Sequence, residues 1–298
     1  MKLKASIEIM RPINDLMGCL TIIIGILNTR SNISSFFIIL NIILGCLTYF
    51  LIAGSGMIIN DIYDIEIDKI NRPERPIPRG DITIKEAKIL YIATLTTGLI
   101  LSIIHSIIVD LLFINVIIAA FFGFIGWLYA AFGKKSGFLG NIIVSVSFAI
   151  GLIYGAILNG LIIPWYIYFF FLTAFSLLMA REIIKGCEDI KGDKKEGVKT
   201  LAIKFGVKKA SWISAVFDCI AIIFFILPVF TPIINPLAFI ISMVFGVAVV
   251  FYALILTLTS DLEQEQFGKI SLLLKVGAFL GLLAFVFASI DITLFQIT

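Results

Sequence analysis

Apolar residues in this chain occur in long unbroken runs, with the charged residues gathered between them. Residues 31–60 and 136–180 contain no Asp, Glu, Lys or Arg, while 89–133, 210–260 and 276–298 hold only Asp110, Asp218 and Asp291. A helix crosses a bilayer core in about 20 apolar residues, so these runs predict transmembrane helices, several long enough for two passes. Splitting them at polar or Gly/Pro punctuation gives nine spans, at 12–29, 35–59, 87–105, 109–131, 138–158, 161–182, 210–230, 236–259 and 270–291. The runs are continuous at every position, which excludes the alternating pattern of a β-barrel. The expected fold is therefore all-α: a polytopic membrane protein of about nine transmembrane helices around a central cavity, with cytoplasmic loops capping the active site.

Composition agrees with this pattern. Of 298 residues, 60% are hydrophobic and 14% charged, against about 45–50% and 25% in soluble domains. The net charge of +3 is small and its carriers are scattered among acids, so nothing suggests a nucleic-acid partner. Lys2 and Lys4 precede an apolar run as in a signal peptide, but Glu8, Arg11 and Asp15 intrude, and the segment reads as a retained first span. Cys19, Cys46, Cys187 and Cys219 show no CxxC spacing and read as small packing residues.

The basic residues set the orientation. With nine spans, the N-terminus and the loops after spans two, four, six and eight share one side, and 22 of the 23 Lys and Arg residues fall there, with Arg30 alone opposite. The positive-inside rule makes that side cytoplasmic and puts the C-terminus across the membrane. Connections on the outer side are short, whereas the inner loops 60–86 and 183–209 are long and charged. Both follow an even-numbered span, four spans apart, and both begin with spaced aspartates. This is weak internal symmetry, predicting two related four-helix units at 12–131 and 138–259, plus a ninth helix, within a single domain over 1–298.

The first long loop opens with Asn60, Asp61, Asp64 and Asp68, followed by a stretch carrying Arg72, Arg75 and Arg79 among three prolines. If the helix of span two continues to Asp68, one helical face presents three carboxylates and an amide. The second loop places Arg181, Lys185, Asp189 and Asp193 at steps of four, so two cations and two carboxylates share another face. Clustered acids at a membrane end repel one another and demand compensation. A hard divalent cation supplies it: Mg²⁺ takes a few carboxylates, keeps waters and accepts phosphate oxygens from a substrate. The arrangement predicts a metal clamp on a polyphosphate, with Arg72, Arg75, Arg79, Lys134, Lys135 and Lys185 available to neutralise the remaining charge.

These motifs, Asn60-Asp61-x-x-Asp64-x-x-x-Asp68 with Asn71-Arg72-Pro73 and then Asp189-x-x-x-Asp193, resemble the paired signatures of the UbiA superfamily of intramembrane prenyltransferases. The resemblance extends to Arg11-Pro12 with Asn14, and to Tyr129 with Lys135-x-Gly137-x-x-Gly140-Asn141. It implies Mg²⁺-dependent transfer of an isoprenyl group from its diphosphate to a lipid-soluble acceptor. Asn60, Asp64, Asp68, Asp189 and Asp193 are then the metal ligands, the four aspartates among them catalytic, and Asp61 is either a further ligand or the partner of basic residues. Arg11, Asn14, Tyr129 and Asn141 join the cations as substrate-side residues, with Tyr129 one of 38 aromatic residues able to shield an allylic cation. The first motif is most similar to the ether-lipid branch, implying a geranylgeranyl diphosphate donor and geranylgeranylglyceryl phosphate as acceptor. The sequence Tyr129-Ala-Ala-Phe-Gly-Lys134-Lys135 departs from the Tyr-Pro-x-x-Lys-Arg run of the 4-hydroxybenzoate branch. Arg79 stands where a small residue is common, as an extra cation suited to a phosphorylated acceptor or as a surface substitution.

Plainer readings apply elsewhere. Asp218 in span seven reads as an interhelical hydrogen-bonding group, and His105 as a solvated residue by an outer turn. The alternatives are a prenyltransferase of the same resemblance acting on an aromatic, quinone-precursor, chlorophyllide or haem acceptor and, outside enzymes, a divalent-cation or lipid transporter. The middle of most spans is uncharged, which disfavours an ion route across the membrane.

Overall fold

The computed structural model describes residues 2–30, 33–111, 113–133, 136–195, 197–259 and 264–290, and these contain helices and no strands. In chain order they form α1 (Leu3–Glu8), α2 (Pro12–Asn28), α3 (Ser35–Tyr63), α4 (Ile65–Asn71), α5 (Ile84–Val109) and α6 (Ile114–Leu128), which runs into a π-helical turn at Tyr129–Gly133. There follow α7 (Phe138–Ile157), α8 (Trp165–Glu188), α9 (Ile190–Lys195), α10 (Leu201–Phe205), α11 (Val207–Ile226) with a 3₁₀ turn at Leu227–Phe230, α12 (Pro236–Thr259) and α13 (Gln264–Ala288). Among the described residues, eight helices are long and apolar enough to cross a membrane. The shorter apolar α2 has 17 residues, about 25 Å at 1.5 Å per residue, a little under the hydrocarbon thickness. The chain is a multi-pass membrane protein. Its helices stop where local chemistry stops them: Ser34 and Thr83 accept backbone N–H bonds at the starts of α3 and α5, and Glu86 closes a reciprocal capping box on Thr83.

The chain forms two compact units, the first from residues 1–20, 33–143 and 191–199, the second from 21–32, 144–190 and 200–298. In the first, Ala5, Ile9, Met10, Ile58, Ile77 and Ile82 form a buried cluster that fastens α1 and the proline-rich loop to α3. A polar knot lies in the same unit. His105 is fully buried, not solvated as its sequence position suggested: Asn115 Nδ2 faces His105 Nδ1 at 3.2 Å and His105 Nε2 faces Asn41 Oδ1 at 2.9 Å. With Asn115 donating its amide hydrogen, Nε2 carries the proton and donates to Asn41, so α3, α5 and α6 share one network.

In the second unit, rings and bare backbones make the core. Phe170 of α8 stacks on Phe285 of α13 at 3.8 Å, with Phe225 and Phe239 packed around Phe285. Gly25 of α2 and Gly155 of α7 let two backbones touch, since a Cβ at either would strike a main-chain oxygen of the other helix, Leu152 or Ile22. Asp218 does not make the interhelical hydrogen bond expected of it: it is fully buried and neither carboxyl oxygen has a partner. One turn earlier, Ser214 makes such a bond, donating to the Ala180 carbonyl of α8 at 3.0 Å.

Candidate active site

The first aspartate motif sits on a broken helix. α3 ends at Asp64, whose φ of −91° and ψ of 7° lie outside helical geometry in the sparsely allowed bridge region. The hydrogen-bond ladder nevertheless continues through the break: Asp64 N donates to Asn60 O at 2.9 Å and Asp68 N to Asp64 O at 2.8 Å. α4 thus carries Asp68 on from α3, and Asp61, Asp64 and Asp68 are all buried, at 2%, 3% and 2% exposure. Three acids so deeply buried require cationic or metal partners.

Arginines supply part of that requirement. Asp61 takes Arg11 as a close ion-pair partner and Arg75 at 3.3 Å, while Arg75 also reaches Asp68 at 2.5 Å. Arg75 therefore bridges two aspartates, and Asp61 joins two guanidiniums. Burial pushes the Asp68 carboxyl above its ordinary range, and the charge of Arg75 pulls it part of the way back. Burial alone would lower the Arg75 pKa, but Asp61 and Asp68 outweigh it and hold the guanidinium charged. Arg11 reaches its position with a left-handed backbone, φ 54°, directly before Pro12. Such strain costs about 1–3 kcal/mol and persists where surrounding contacts impose it. Asp61 is thus occupied by guanidiniums, which is the second of the two roles its place in the sequence left open.

The second motif repeats the backbone of the first. α8 ends at Asp189 with φ −92° and ψ 9°, Asp189 N donates to Lys185 O at 2.9 Å, and the short α9 carries Asp193. Asp193 is buried at 8% exposure. On the preceding turns of α8, Glu182 accepts from Arg181 at 3.2 Å and from Lys185 at 3.3 Å. Lys275 of α13 lies within electrostatic reach of Arg181 and Lys185. Charge counting in the loops treated Lys275 as an orientation signal. The clue to more was available, because this lysine lies well inside an apolar helix.

The remaining predicted residues fall in several places. Tyr129 opens the π turn, and its ring packs against Gly133 and Gly140, where a Cβ would lie 3.1 Å and 3.4 Å away. π turns of this kind concentrate at functional sites. Asn141 begins the next turn of α7, its N–H bonded to Gly137 O at 3.1 Å, and Asn14 is exposed on the first turn of α2. Arg72 is the half-buried residue that ends α4. Arg79 is engaged locally, donating to Glu8 at 3.0 Å, Asp81 at 2.6 Å and the Glu74 carbonyl at 2.7 Å. It locks the proline-rich loop to α1, and these partners take up its guanidinium. Lys134 and Lys135 lie outside the described residues.

The donor set fits a magnesium ion completed by other ligands. Among the described residues, no three His, Cys, Asp or Glu side chains gather closely enough to hold a metal by themselves. Asn60, however, donates its amide hydrogen to Asp64 Oδ2 at 2.7 Å and leaves its own Oδ1 buried with no hydrogen-bond partner. A buried orphan oxygen beside a carboxylate is a hard ligand suited to a small cation. Mg²⁺ suits such a partial set, because it retains waters and takes substrate phosphates in preference to a closed protein cage.

A helical membrane protein whose long helices break at spaced aspartates defines a narrow class of intramembrane sites. Residues 19–274 match the UbiA prenyltransferase family, and the chain belongs to it. A digeranylgeranylglyceryl phosphate synthase of Korarchaeum cryptofilum is 36% identical over 282 residues, covering 95% of this chain and 96% of that protein. A solved structure reported for digeranylgeranylglyceryl phosphate synthase in membranes superposes with a TM-score of 0.74 at 32% identity, over 96% of this chain and 98% of the other. A UbiA homologue from Archaeoglobus fulgidus bound to DMAPP and Mg²⁺ shares the fold, with a TM-score of 0.66, 19% identity and coverage of 93% and 98%.

Proposed function

We propose that this protein transfers a geranylgeranyl group from geranylgeranyl diphosphate to the free hydroxyl of geranylgeranylglyceryl phosphate. The bond between the allylic carbon and the diphosphate oxygen breaks, a carbon–oxygen ether bond forms, and diphosphate and the hydroxyl proton leave. The observation that carries this reading is the pair of helix breaks at Asp64 and Asp189, each presenting a second aspartate four residues on. Near-full-length identity to a digeranylgeranylglyceryl phosphate synthase favours this acceptor over an aromatic one.

Asn60, Asp64 and Asp68 of the first motif and Asp189 and Asp193 of the second are the proposed ligands for Mg²⁺. Bound there, the metal supplies positive charge to the departing diphosphate. Asp61 acts one step back, holding Arg11 and Arg75 in place, with Arg75 beside Asp68 and available to the diphosphate oxygens. Arg72, Lys134 and Lys135 add cationic charge on the substrate side, and Asn14, Tyr129 and Asn141 complete the proposed substrate contacts. By the distribution of basic residues, both motifs face the cytoplasm. The matching helix breaks also favour an internal repeat of two four-helix units.

The test is release of diphosphate from geranylgeranyl diphosphate by the full chain in detergent, with and without Mg²⁺ and with each acceptor. Turnover that requires Mg²⁺ and geranylgeranylglyceryl phosphate is expected. Turnover with aromatic acceptors alone overturns the acceptor, and Mg²⁺-independent release overturns the clamp.

A further inference from the structure

α8 and α13 run antiparallel in a register that several contacts define. Phe170 stacks on Phe285, and a Cβ on Gly268 would lie 3.8 Å from the Glu188 carboxylate. Between these fixed points the same register brings Lys275 opposite Arg181, with Lys185 one turn further along α8, so that both α8 cations bear on the lysine's charge. Arg181 and Lys185 both pair with one carboxylate, Glu182, while Glu188 lies further along against Gly268. Arg181 Nε is buried with no hydrogen-bond partner. Positive charge inside membrane-spanning segments is costly and repulsive unless an anion is received there.

Directly beyond the cations, the same two helices line an apolar cleft. Leu177 and Leu178 lie one turn before Arg181, Ala278 lies one turn after Lys275, and Ala221 and Phe225 of α11 close the far side. Gly277 brings α13 close to α12, where a Cβ would stand 2.6 Å from Val250 Cγ2. A cationic head and an apolar continuation on one pair of helices match an amphiphile with a phosphate at one end.

We propose that Arg181, Lys185 and Lys275 bind the phosphate monoester of the acceptor lipid, whose chain enters the cleft between α8, α11 and α13. This rests on the prenyl-transfer reading and deepens it, separating the acceptor's phosphate from the donor's diphosphate at the aspartates. Lys275 is the discriminating residue, because it belongs to neither aspartate motif.

The experiment compares the full chain with its Lys275→Gln and Lys275→Arg variants in detergent. Three substrates are varied: geranylgeranyl diphosphate, geranylgeranylglyceryl phosphate and geranylgeranylglycerol, which lacks the phosphate. Lys275→Gln should raise the KM for the phosphorylated acceptor about 10- to 100-fold, the value of a charge-assisted hydrogen bond, and leave the donor KM in place. It should also erase the preference for the phosphorylated acceptor over geranylgeranylglycerol, and Lys275→Arg should restore it. A raised donor KM, or equal losses on both acceptors, overturns the subsite. If the wild-type chain transfers no prenyl group, the functional reading fails and binding alone decides the subsite. Single-chain lysophosphatidate should then protect wild type against heat at concentrations where inorganic phosphate does not, and should protect Lys275→Gln far less. Equal protection of both chains, or protection by inorganic phosphate alone, overturns it.

Discussion

Aligned on Asp64 and Asp189, where the long helices end, the two motifs match Asp68 with Asp193, Asn60 with Lys185 and Asp61 with Gly186. Their backbones at the break agree within a few degrees, φ −91° and ψ 7° against φ −92° and ψ 9°. Eleven residues further on, Arg75 in the first motif corresponds to Thr200 in the second. Arg75 returns to Asp61 at 3.3 Å, and Thr200 returns to Gly186, where an added Cβ would lie 3.4 Å from the threonine Cβ. One backbone plan is thus closed by an ion pair in one place and by van der Waals contact in the other. Burial accounts for the difference. Three acids in the first motif are almost wholly buried and need internal guanidiniums, whereas Asp189 is half-buried and the turn before it already carries Lys185 and Arg181.

If the shared part of the plan is the metal-binding part, the largest effects should be equal in the two motifs. Asp64→Ala and Asp189→Ala should each lower Mg²⁺-dependent diphosphate release by about 10²–10³-fold. A large loss from one and none from the other would break the equivalence. The next effect belongs to the first motif alone. Asp61→Asn keeps the shape of the side chain but removes the charge that holds Arg11 and Arg75, and it should cost about 10- to 100-fold in activity, as second-layer groups do. Steady-state kinetics with Mg²⁺ titration measures it, and unchanged kinetics would show that the guanidiniums hold their places without Asp61.

A smaller effect appears in pH dependence. Burial raises the Asp68 carboxyl and Arg75 lowers it again. On acidification Asp68 therefore takes up its proton above the ordinary carboxylate range, and Mg²⁺ binding should weaken there, because the metal requires the charged form. Arg75→Gln removes the opposing cation, so the acid limb of Mg²⁺ binding should move to higher pH. A limb that stays in place, or moves down, would separate Asp68 from Arg75.

Much of this organisation is legible in the residues, for a physical reason. Water excludes apolar runs and the bilayer excludes charges, so the long apolar helices follow from spacing alone. The helix of span two continues toward Asp68 as its i, i+3, i+7 pattern implies, although with a break at Asp64. What spacing does not encode is the partner on another segment. Asp61 is held by Arg11 from 50 residues away, and Arg79 is held by Glu8 from 71 residues away. His105 reads as solvated until Asn41 and Asn115 are placed beside it, and Asp218 reads as bonded until both its carboxyl oxygens prove to be without a partner. Periodicity shows which face of a helix a residue occupies, but not what lies opposite.

The smallest effect tests the contact that replaces the ion pair in the second motif. Gly186 lies within α8, and a methyl group there would meet Thr200 Cβ and Cγ2 at 3.4 Å and 3.5 Å, ordinary van der Waals separations. Alanine is also favoured over glycine inside a helix by up to about 1 kcal/mol. The two terms act in the same direction, so Gly186→Ala should be neutral or stabilising by up to about 1 kcal/mol, read as an unchanged or slightly raised melting temperature in detergent. Diphosphate release should change less than twofold, because no ligand moves. Gly186→Asp then restores at this position the acid that the first motif carries, but Thr200 offers it no guanidinium. That variant should lose stability while Gly186→Ala does not. If alanine already destabilises the protein by more than about 1 kcal/mol, Gly186 is required for closeness of packing. The second motif would then be closed as tightly as the first, by steric fit in place of charge.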